Sequence, residues 1–108
     1  MVRAIGPSEV RSLLDGAPDR LLLLDVREDD ERSAASISPS VHIPMGDVPG
    51  RLADLPRDRT IVVYCHHGSR SEMVAAYLEG EGFPDVANLA GGIDRWSVEV
   101  DRAVPRYS

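Results

Sequence analysis

The sequence predicts an α/β fold with a mainly parallel central sheet. Two runs of consecutive apolar residues, 21–26 and 61–64, have the length and composition of strands that are buried on both faces. Segments with apolar residues at helical spacing lie between such runs. Because strands that alternate with helices form parallel sheets covered by helices, these observations together indicate one α/β domain over residues 1–108.

Taken in chain order, the pattern predicts five strands, at 2–5, 21–26, 41–43, 61–64 and 86–89. A first helix follows Gly6-Pro7-Ser8, with Val10, Leu13 and Leu14 as its buried stripe. A short, charged and solvated helix is expected over 27–33, and a loop with one helical turn over 46–55. The last helix follows the Gly91-Gly92 pair and carries Trp96.

A further helix is predicted to begin near Ser69 and to end at Gly80. Ser69 and Glu72 have the spacing of a capping box, in which two side chains satisfy the free N–H groups of the first turn. Val74, Tyr77 and Leu78 fall on one face at helical spacing, so we expect them to be buried together.

Composition excludes several classes of function. The formal net charge of −6 over 108 residues argues against nucleic acid as a partner. No apolar run is long enough to cross a membrane, and the first residues lack the pattern of a secretory signal. The single cysteine rules out an internal disulfide and fits a reducing compartment, so we expect a cytoplasmic protein.

That cysteine, Cys65, opens a tight polar loop between a buried strand and a helix. Five loop residues in this position must curl round the thiol with their N–H groups turned inward, which makes a nest for an anion. Such donors and the helix dipole favour the thiolate. Asp25 and Arg27 also follow a strand, and sites in parallel sheets form at the carboxyl ends of strands. The sequence therefore predicts Cys65 as the catalytic nucleophile.

The loop neighbours of Cys65 have both functional and structural interpretations. His66 and His67 either draw an anionic ligand to the pocket or face the solvent. Arg70 either binds the charge of that ligand or turns outward to a carboxylate and braces the loop. Two adjacent histidines and one cysteine in one tight loop cannot offer tetrahedral geometry, so no metal site is expected.

The remaining loop residues are expected to shape the site before they contact substrate. Gly68 permits the tight turn, and Ser69 and Ser71 are caps first and substrate contacts second. Asp25 and Arg27 are expected to form a structural pair that braces two strand ends. The Glu28 to Glu31 run is expected to be a solvated face.

Several motifs resemble the single-domain rhodanese (thiosulfate sulfurtransferase) family. They occur in the family's order along almost the whole chain, and they are Asp25-Val-Arg-Glu28, Ile43-Pro44, Val63-Tyr-Cys65-x-x-Gly68-x-Arg70-Ser71, Ala75-Ala76 and Leu89-Ala-Gly-Gly-Ile93 with Trp96. The resemblance implies a three-layer sandwich, with a mainly parallel sheet flanked by helices. The segment from Gly91 to Tyr107 also looks like the rhodanese domains fused to adenylyltransferases of sulfur-carrier proteins.

The resemblance implies a sulfurtransferase without a cofactor. Cys65 would take a sulfane sulfur from thiosulfate or a similar anionic donor, hold it as a persulfide against the N–H groups of residues 66–71, and pass it to an external thiol, cyanide or carrier protein. An alternative is a sulfur-carrier or interaction module loaded by a partner desulfurase. A small phosphatase or arsenate reductase is disfavoured, because those of the cell-cycle type carry Cys-x5-Arg whereas Arg70 here gives Cys-x4-Arg.

Overall fold

The computed structural model describes residues 2–107 and places one five-stranded sheet between helices. The strands are β1 (Arg3–Ile5), β2 (Leu21–Asp25), β3 (Val41–His42), β4 (Thr60–Tyr64) and β5 (Val86–Leu89). The helices are α1 (Pro7–Gly16), α2 (Asp29–Ala34), α3 (Ser69–Gly80) and α4 (Gly92–Glu99), and two 3₁₀ segments span Pro18–Arg20 and Met45–Asp54. The predicted α/β class is confirmed.

All strands of the sheet are parallel, in the order β1-β5-β4-β2-β3. The central strand, β4, pairs with β2 from Leu21 opposite Thr60 to Asp25 opposite Tyr64. Because the strands run in one direction, the residues that follow β2, β4 and β5 meet at the same edge of the sheet. Cys65 follows β4 at that edge, between the ends of two neighbouring strands.

Successive residues of β2 and β4 alternate between two cores, one on each face of the sheet. Leu23, Val62 and Tyr64 belong to the core shared with α1 and α4. Leu24 and Val63 belong to the core shared with α3 and the Met45–Asp54 segment, and Cys65 continues the alternation into this second core. The thiol therefore lies on the face that α3 covers.

Two predicted burial patterns are wrong at their edges. Leu13 and Tyr77 are 37% and 38% exposed, although both were expected in buried stripes. In α1 the buried residues are Pro7, Val10 and Leu14, and Leu13 lies beside that stripe. In α3 the buried stripe includes Ser71, so it is displaced away from Tyr77.

Other boundaries also differ from the expectation. The charged helix begins at Asp29, and Arg27, expected at its solvated start, is fully buried outside it. The single turn expected between residues 46 and 55 is a longer 3₁₀ segment with a kink at Arg51. No helix among residues 2–107 has the length and apolar composition needed to span a membrane.

Candidate functional site

The cysteine loop contains four residues, Cys65 to Gly68, rather than the expected five, because α3 begins at Ser69. The N-cap of α3 is Gly68, which has φ of +116° and no side-chain cap. A residue with a Cβ rarely adopts this backbone conformation, so glycine lets the chain turn abruptly from the loop into the helix. The capping box expected at Ser69 and Glu72 is therefore wrong, and Ser69 is an exposed first residue of the helix.

The loop surrounds the sulfur of Cys65 with polar atoms. The side chain is 1% exposed, and its Sγ accepts hydrogen bonds from the N–H groups of Gly68 at 3.1 Å and Ser71 at 3.4 Å. The Ser71 Oγ lies 3.3 Å from the same sulfur. Ser71 was expected to cap the helix, but its hydroxyl instead faces the cysteine. Amide donors that converge on one sulfur stabilise negative charge there.

The first turn of α4 binds the cysteine loop through backbone hydrogen bonds. The N–H groups of Ile93 and Asp94 donate to the carbonyl oxygens of Cys65 and His66, at 2.9 and 3.1 Å. Gly92, with φ of +61°, lies so close that a Cβ would stand 2.4 Å from both oxygens. The two loop carbonyls are thus bound by α4.

Arg70 turns to α2 and forms a two-point ion pair with Glu31, at 2.7 and 2.8 Å. These hydrogen bonds from Arg70 outweigh burial and lower the pKa of Glu31 to about 2. The same pair raises the pKa of Arg70 above its ordinary value. Two interpretations were left open for Arg70. In the structure its guanidinium binds a carboxylate and braces the loop, which is the second of them. Glu31, expected on a solvated face, is its partner.

Tyr107 lies over the loop and was missed by the sequence reasoning. Its ring stacks on that of His66, with 4.0 Å between ring centroids. Its hydroxyl donates to Glu31 at 2.8 Å and accepts from the Arg27 guanidinium at 3.0 Å. Burial is the largest cause that raises the pKa of Tyr107 to about 12. Its partners lie 41 or more residues earlier, so no local pattern could indicate these contacts.

The two loop histidines occupy different environments. His67 is exposed, and its Nδ1 lies 4.0 Å from an Asp94 carboxylate oxygen. His66 is half-buried between the rings of His67 and Tyr107, and its buried Nε2 has no hydrogen-bond partner within residues 2–107. The solvent-facing interpretation therefore describes His67 and not His66. No group of three or more metal-binding side chains lies together in this part of the chain.

Asp25 and Arg27 form a fully buried ion pair beside the site. The Arg27 Nε and Nη2 donate to the two Asp25 carboxylate oxygens, each at 2.8 Å. Burial alone would raise the pKa of Asp25, but the hydrogen bonds from Arg27 hold it below its usual value. Asp25 ends β2 and accepts from the hydroxyl of Tyr64, which ends β4, at 3.1 Å. The pair thus joins the ends of two neighbouring strands.

Asn88 is a second residue that the sequence reasoning missed. It lies in β5 and is 6% exposed, and its side-chain amide bonds to both Gly68 and Ser71. The signal was present, since an amide in the run Val-Ala-Asn-Leu is out of place in a strand buried on both faces. Such a side chain must find hydrogen-bond partners, and here they are Gly68 in the cysteine loop and Ser71 in the first turn of α3.

Fold and site together define a parallel α/β protein with a buried cysteine in a nest of amide groups at the carboxyl edge of its sheet. The model of the rhodanese-like domain matches residues 6–99. The chain belongs to the rhodanese-like domain family, as its motifs suggested.

Three curated relatives illustrate the family. A sulfurtransferase of Allochromatium vinosum is 36% identical over 97 residues, covering 90% of each chain. Thiosulfate sulfurtransferase GlpE of Pseudomonas savastanoi pv. phaseolicola is 33% identical, over 87% of this chain and 86% of its own. The putative sulfur carrier protein YrkF of Bacillus subtilis is 40% identical over 73% of this chain, but this match covers only 43% of YrkF.

A solved structure has the same fold. The rhodanese-related protein of Thermoplasma volcanium superposes with a TM-score of 0.82 and 30% sequence identity. The alignment covers 91% of this chain and 93% of that one. The three-layer arrangement implied by the sequence is thereby confirmed.

Proposed function

We propose that this protein is a sulfurtransferase that moves sulfane sulfur from thiosulfate, or a similar anionic donor, to an external acceptor through a persulfide on Cys65. The observation that carries the proposal is the convergence of the Gly68 and Ser71 amide groups on the only sulfur nucleophile of the chain. Relatives named sulfurtransferases support the same chemistry.

The first step would be attack of the Cys65 thiolate on the outer sulfur of thiosulfate. A bond forms between the two sulfurs, the sulfur–sulfur bond of thiosulfate breaks, and its electron pair leaves with sulfite. The persulfide anion then needs donors for its terminal sulfur. We assign this role to the N–H groups of residues 66–71. We also propose that the side chains of His66, His67 and Arg70 contact the incoming anion, for which Arg70 must exchange Glu31 for the anion.

In the second step an external nucleophile takes the terminal sulfur and restores the Cys65 thiolate. Cyanide would leave as thiocyanate, and a thiol would leave as a persulfide. Since the chain has one cysteine, no internal disulfide can resolve the intermediate, and the acceptor comes from outside. We also propose a cytoplasmic setting, because a working lone thiol needs a reducing compartment.

The test is cyanide-dependent release of thiocyanate from thiosulfate, combined with the intact mass of the protein after exposure to thiosulfate. We expect turnover and a gain of one sulfur atom for the wild type. Cys65→Ser should lose both signals, whereas Ser97→Ala, which removes a buried hydroxyl bonded to Val104 rather than to the loop, should keep both. Absence of both signals in a folded wild type would refute the proposal.

A second candidate is a carrier module whose Cys65 is loaded by a partner desulfurase. The carrier function is favoured by the likeness to YrkF and by the burial of Cys65, which is 1% exposed. The ring of Tyr107 stacks on His66, the next residue of the loop. The same assay separates the two candidates. Sulfur loading by a desulfurase with negligible turnover of free thiosulfate would support the carrier.

A further inference from the structure

Asn88 joins the two residues that contact the cysteine sulfur. Its Nδ2 donates to the Gly68 carbonyl oxygen at 3.1 Å, and its Oδ1 lies 2.5 Å from the Ser71 Oγ. Gly68 and Ser71 are also the residues whose N–H groups donate to Cys65 Sγ. All four residues are buried, so solvent does not compete for these bonds.

The chemistry of the partners fixes the orientation of the Asn88 amide. The Gly68 carbonyl can only accept, so the NH₂ group of Asn88 must face it. The Oδ1 atom then faces Ser71, and this oxygen also can only accept. The hydroxyl of Ser71 must therefore donate its proton to Asn88.

Ser71 has one hydroxyl proton but three possible acceptors. The Asn88 Oδ1 lies 2.5 Å away, the Gly68 oxygen 3.1 Å and the Cys65 Sγ 3.3 Å. If the proton turned to the sulfur, two oxygen atoms would remain 2.5 Å apart with no hydrogen between them. The proton therefore stays with Asn88, and the Ser71 Oγ presents its lone pairs to the sulfur. In that orientation Ser71 accepts from the thiol and does not stabilise the thiolate.

We propose that Asn88 is a positioning residue. Its Oδ1 holds the hydroxyl proton of Ser71 in a hydrogen bond, keeps that proton from the cysteine sulfur, and thereby sets the pH at which Cys65 ionises. The resting thiol donates to Ser71, and the thiolate keeps only the two amide donors, from Gly68 and Ser71, because the Ser71 hydroxyl proton stays on Asn88. This inference rests on the proposed function only in taking Cys65 as the reacting group.

The test is the rate of Cys65 alkylation by iodoacetamide as a function of pH, followed by intact mass. Because the chain has one cysteine, the signal belongs to Cys65 alone. Asn88→Leu removes the preferred acceptor, so the Ser71 hydroxyl is free to donate to the thiolate. A hydrogen bond to a charged group contributes about 1.5–3 kcal/mol, so the pH midpoint should fall by about one to two units.

Two further variants show whether Ser71 carries the effect. Ser71→Ala in the Asn88→Leu background should bring the midpoint back up, because the added donor is then lost. Asn88→Asp keeps a strong acceptor for the Ser71 proton and adds negative charge, so its midpoint should rise. General loosening of the loop would move the midpoints of Asn88→Leu and Asn88→Asp in the same direction, and that result would overturn the proposal.

If circular dichroism shows that Asn88→Leu does not fold, Ser71→Ala alone tests the proposal. The hydroxyl does not donate to sulfur in the wild type, so its removal should leave the midpoint unchanged or lower it. A rise of about one to two pH units, the value of a lost donor to the thiolate, would overturn the proposal. Ser97→Ala, a buried hydroxyl bonded to Val104, is the matched control and should leave the midpoint unchanged.

Other charged and titratable groups face the loop from each element packed against it, and all variants retain them. They are His66 and His67 in the loop, Arg70 in α3, Glu31 in α2, Asp94 in α4 and Tyr107 in the tail. Differences between variants therefore report the Asn88–Ser71 contact. Alkylation needs no sulfur donor, so a failure of this proposal is distinguishable from a failure of the sulfurtransferase proposal.

Discussion

Glu31 and Arg70 bind each other through two parallel hydrogen bonds, at 2.7 and 2.8 Å, and so connect α2 to the first turn of α3. The Arg70 guanidinium is therefore already bound to a carboxylate. Any anion that needs this guanidinium must compete with Glu31 for it. The carboxylate has the advantage of being held in place by Tyr107 and by the Glu28 amide.

Glu31→Gln should release Arg70 for binding of an anionic donor. Glutamine keeps the shape of the side chain but loses the charge, and a charge-assisted hydrogen bond differs from a neutral one by about 1 kcal/mol. We expect the KM for thiosulfate to fall several-fold. Asp30→Asn, an exposed position in the same helix, is the control. An unchanged KM in both variants would mean that Arg70 only braces the loop.

The low pKa of Glu31 predicts an acid-sensitive component of stability. Its pKa is about 2 in the folded protein against an ordinary value of 4.5, so the unfolded chain binds the proton more readily. The stabilisation is complete above pH 4.5 and is lost as the pH falls toward 2. We expect the urea midpoint of the wild type to fall across this window. Glu31→Gln should show a shallower fall, and equal slopes would contradict the prediction.

Tyr107→Phe should destabilise the protein while leaving the ring stack on His66 intact. The variant loses the hydrogen bonds with Glu31 and Arg27, each of which contributes about 1 kcal/mol. Urea unfolding should therefore show a loss of about 1–2 kcal/mol. Tyr77→Phe is the matched control, because Tyr77 is 38% exposed in α3 and should tolerate the change. Equal stability of the two variants would show that the Tyr107 hydroxyl contributes nothing.

Gly92→Ala should disrupt the support of the cysteine loop. Its φ of +61° costs a residue with a Cβ about 1–3 kcal/mol, and the Cβ would also meet the carbonyl oxygens of Cys65 and His66. We expect lower stability and slower alkylation of Cys65. Gly50→Ala is the control, since no atom lies within 4 Å of the Cβ that it would add. Wild-type stability and alkylation in Gly92→Ala would argue against the close approach of α4.

Arg27→Met should be the most destabilising of these substitutions, because it leaves Asp25 buried without its main partner. Breaking a buried pair costs about 3–5 kcal/mol, and we expect the lower end because Arg32 and Tyr64 still donate to Asp25. Thermal or urea unfolding measures the loss. Arg51→Met breaks an exposed pair and should change stability by less than about 1 kcal/mol. If both variants lost a similar free energy of unfolding, burial would not be what makes the Asp25–Arg27 pair costly to break.

Local sequence predicted those parts of the fold that depend on neighbouring residues. The strand at 86–89 has the expected bounds, since an apolar run stands between Pro84 and the Gly91-Gly92 pair. The position of Cys65 after β4 follows from the same kind of pattern. The faces of the helices were less predictable, because the sheet decides which residues at the edge of an apolar stripe are covered. Tyr77 is the example.

The contacts that complete the site join residues distant in sequence, and local patterns do not encode them. Tyr107 reaches Glu31 across 76 positions, and Asn88 reaches Gly68 across 20. Arg70 had two possible partners in the sequence interpretation, and only the folded arrangement brings Glu31 to it. The turn at Gly68 is the exception, because a glycine in a short polar loop predicts the positive φ that the structure has there.

The parallel direction of the strands has a practical consequence for handling the protein. Arg3 begins β1 at the amino edge of the sheet, whereas Cys65 and Tyr107 lie at the carboxyl edge. Immobilisation on a sensor surface through the N-terminus would thus leave the reactive edge facing the flowing analyte. A linker joined after Tyr107 would instead start beside the stacked rings of Tyr107 and His66. Measurements of binding to carrier proteins should therefore attach this protein to the sensor at the end that precedes β1.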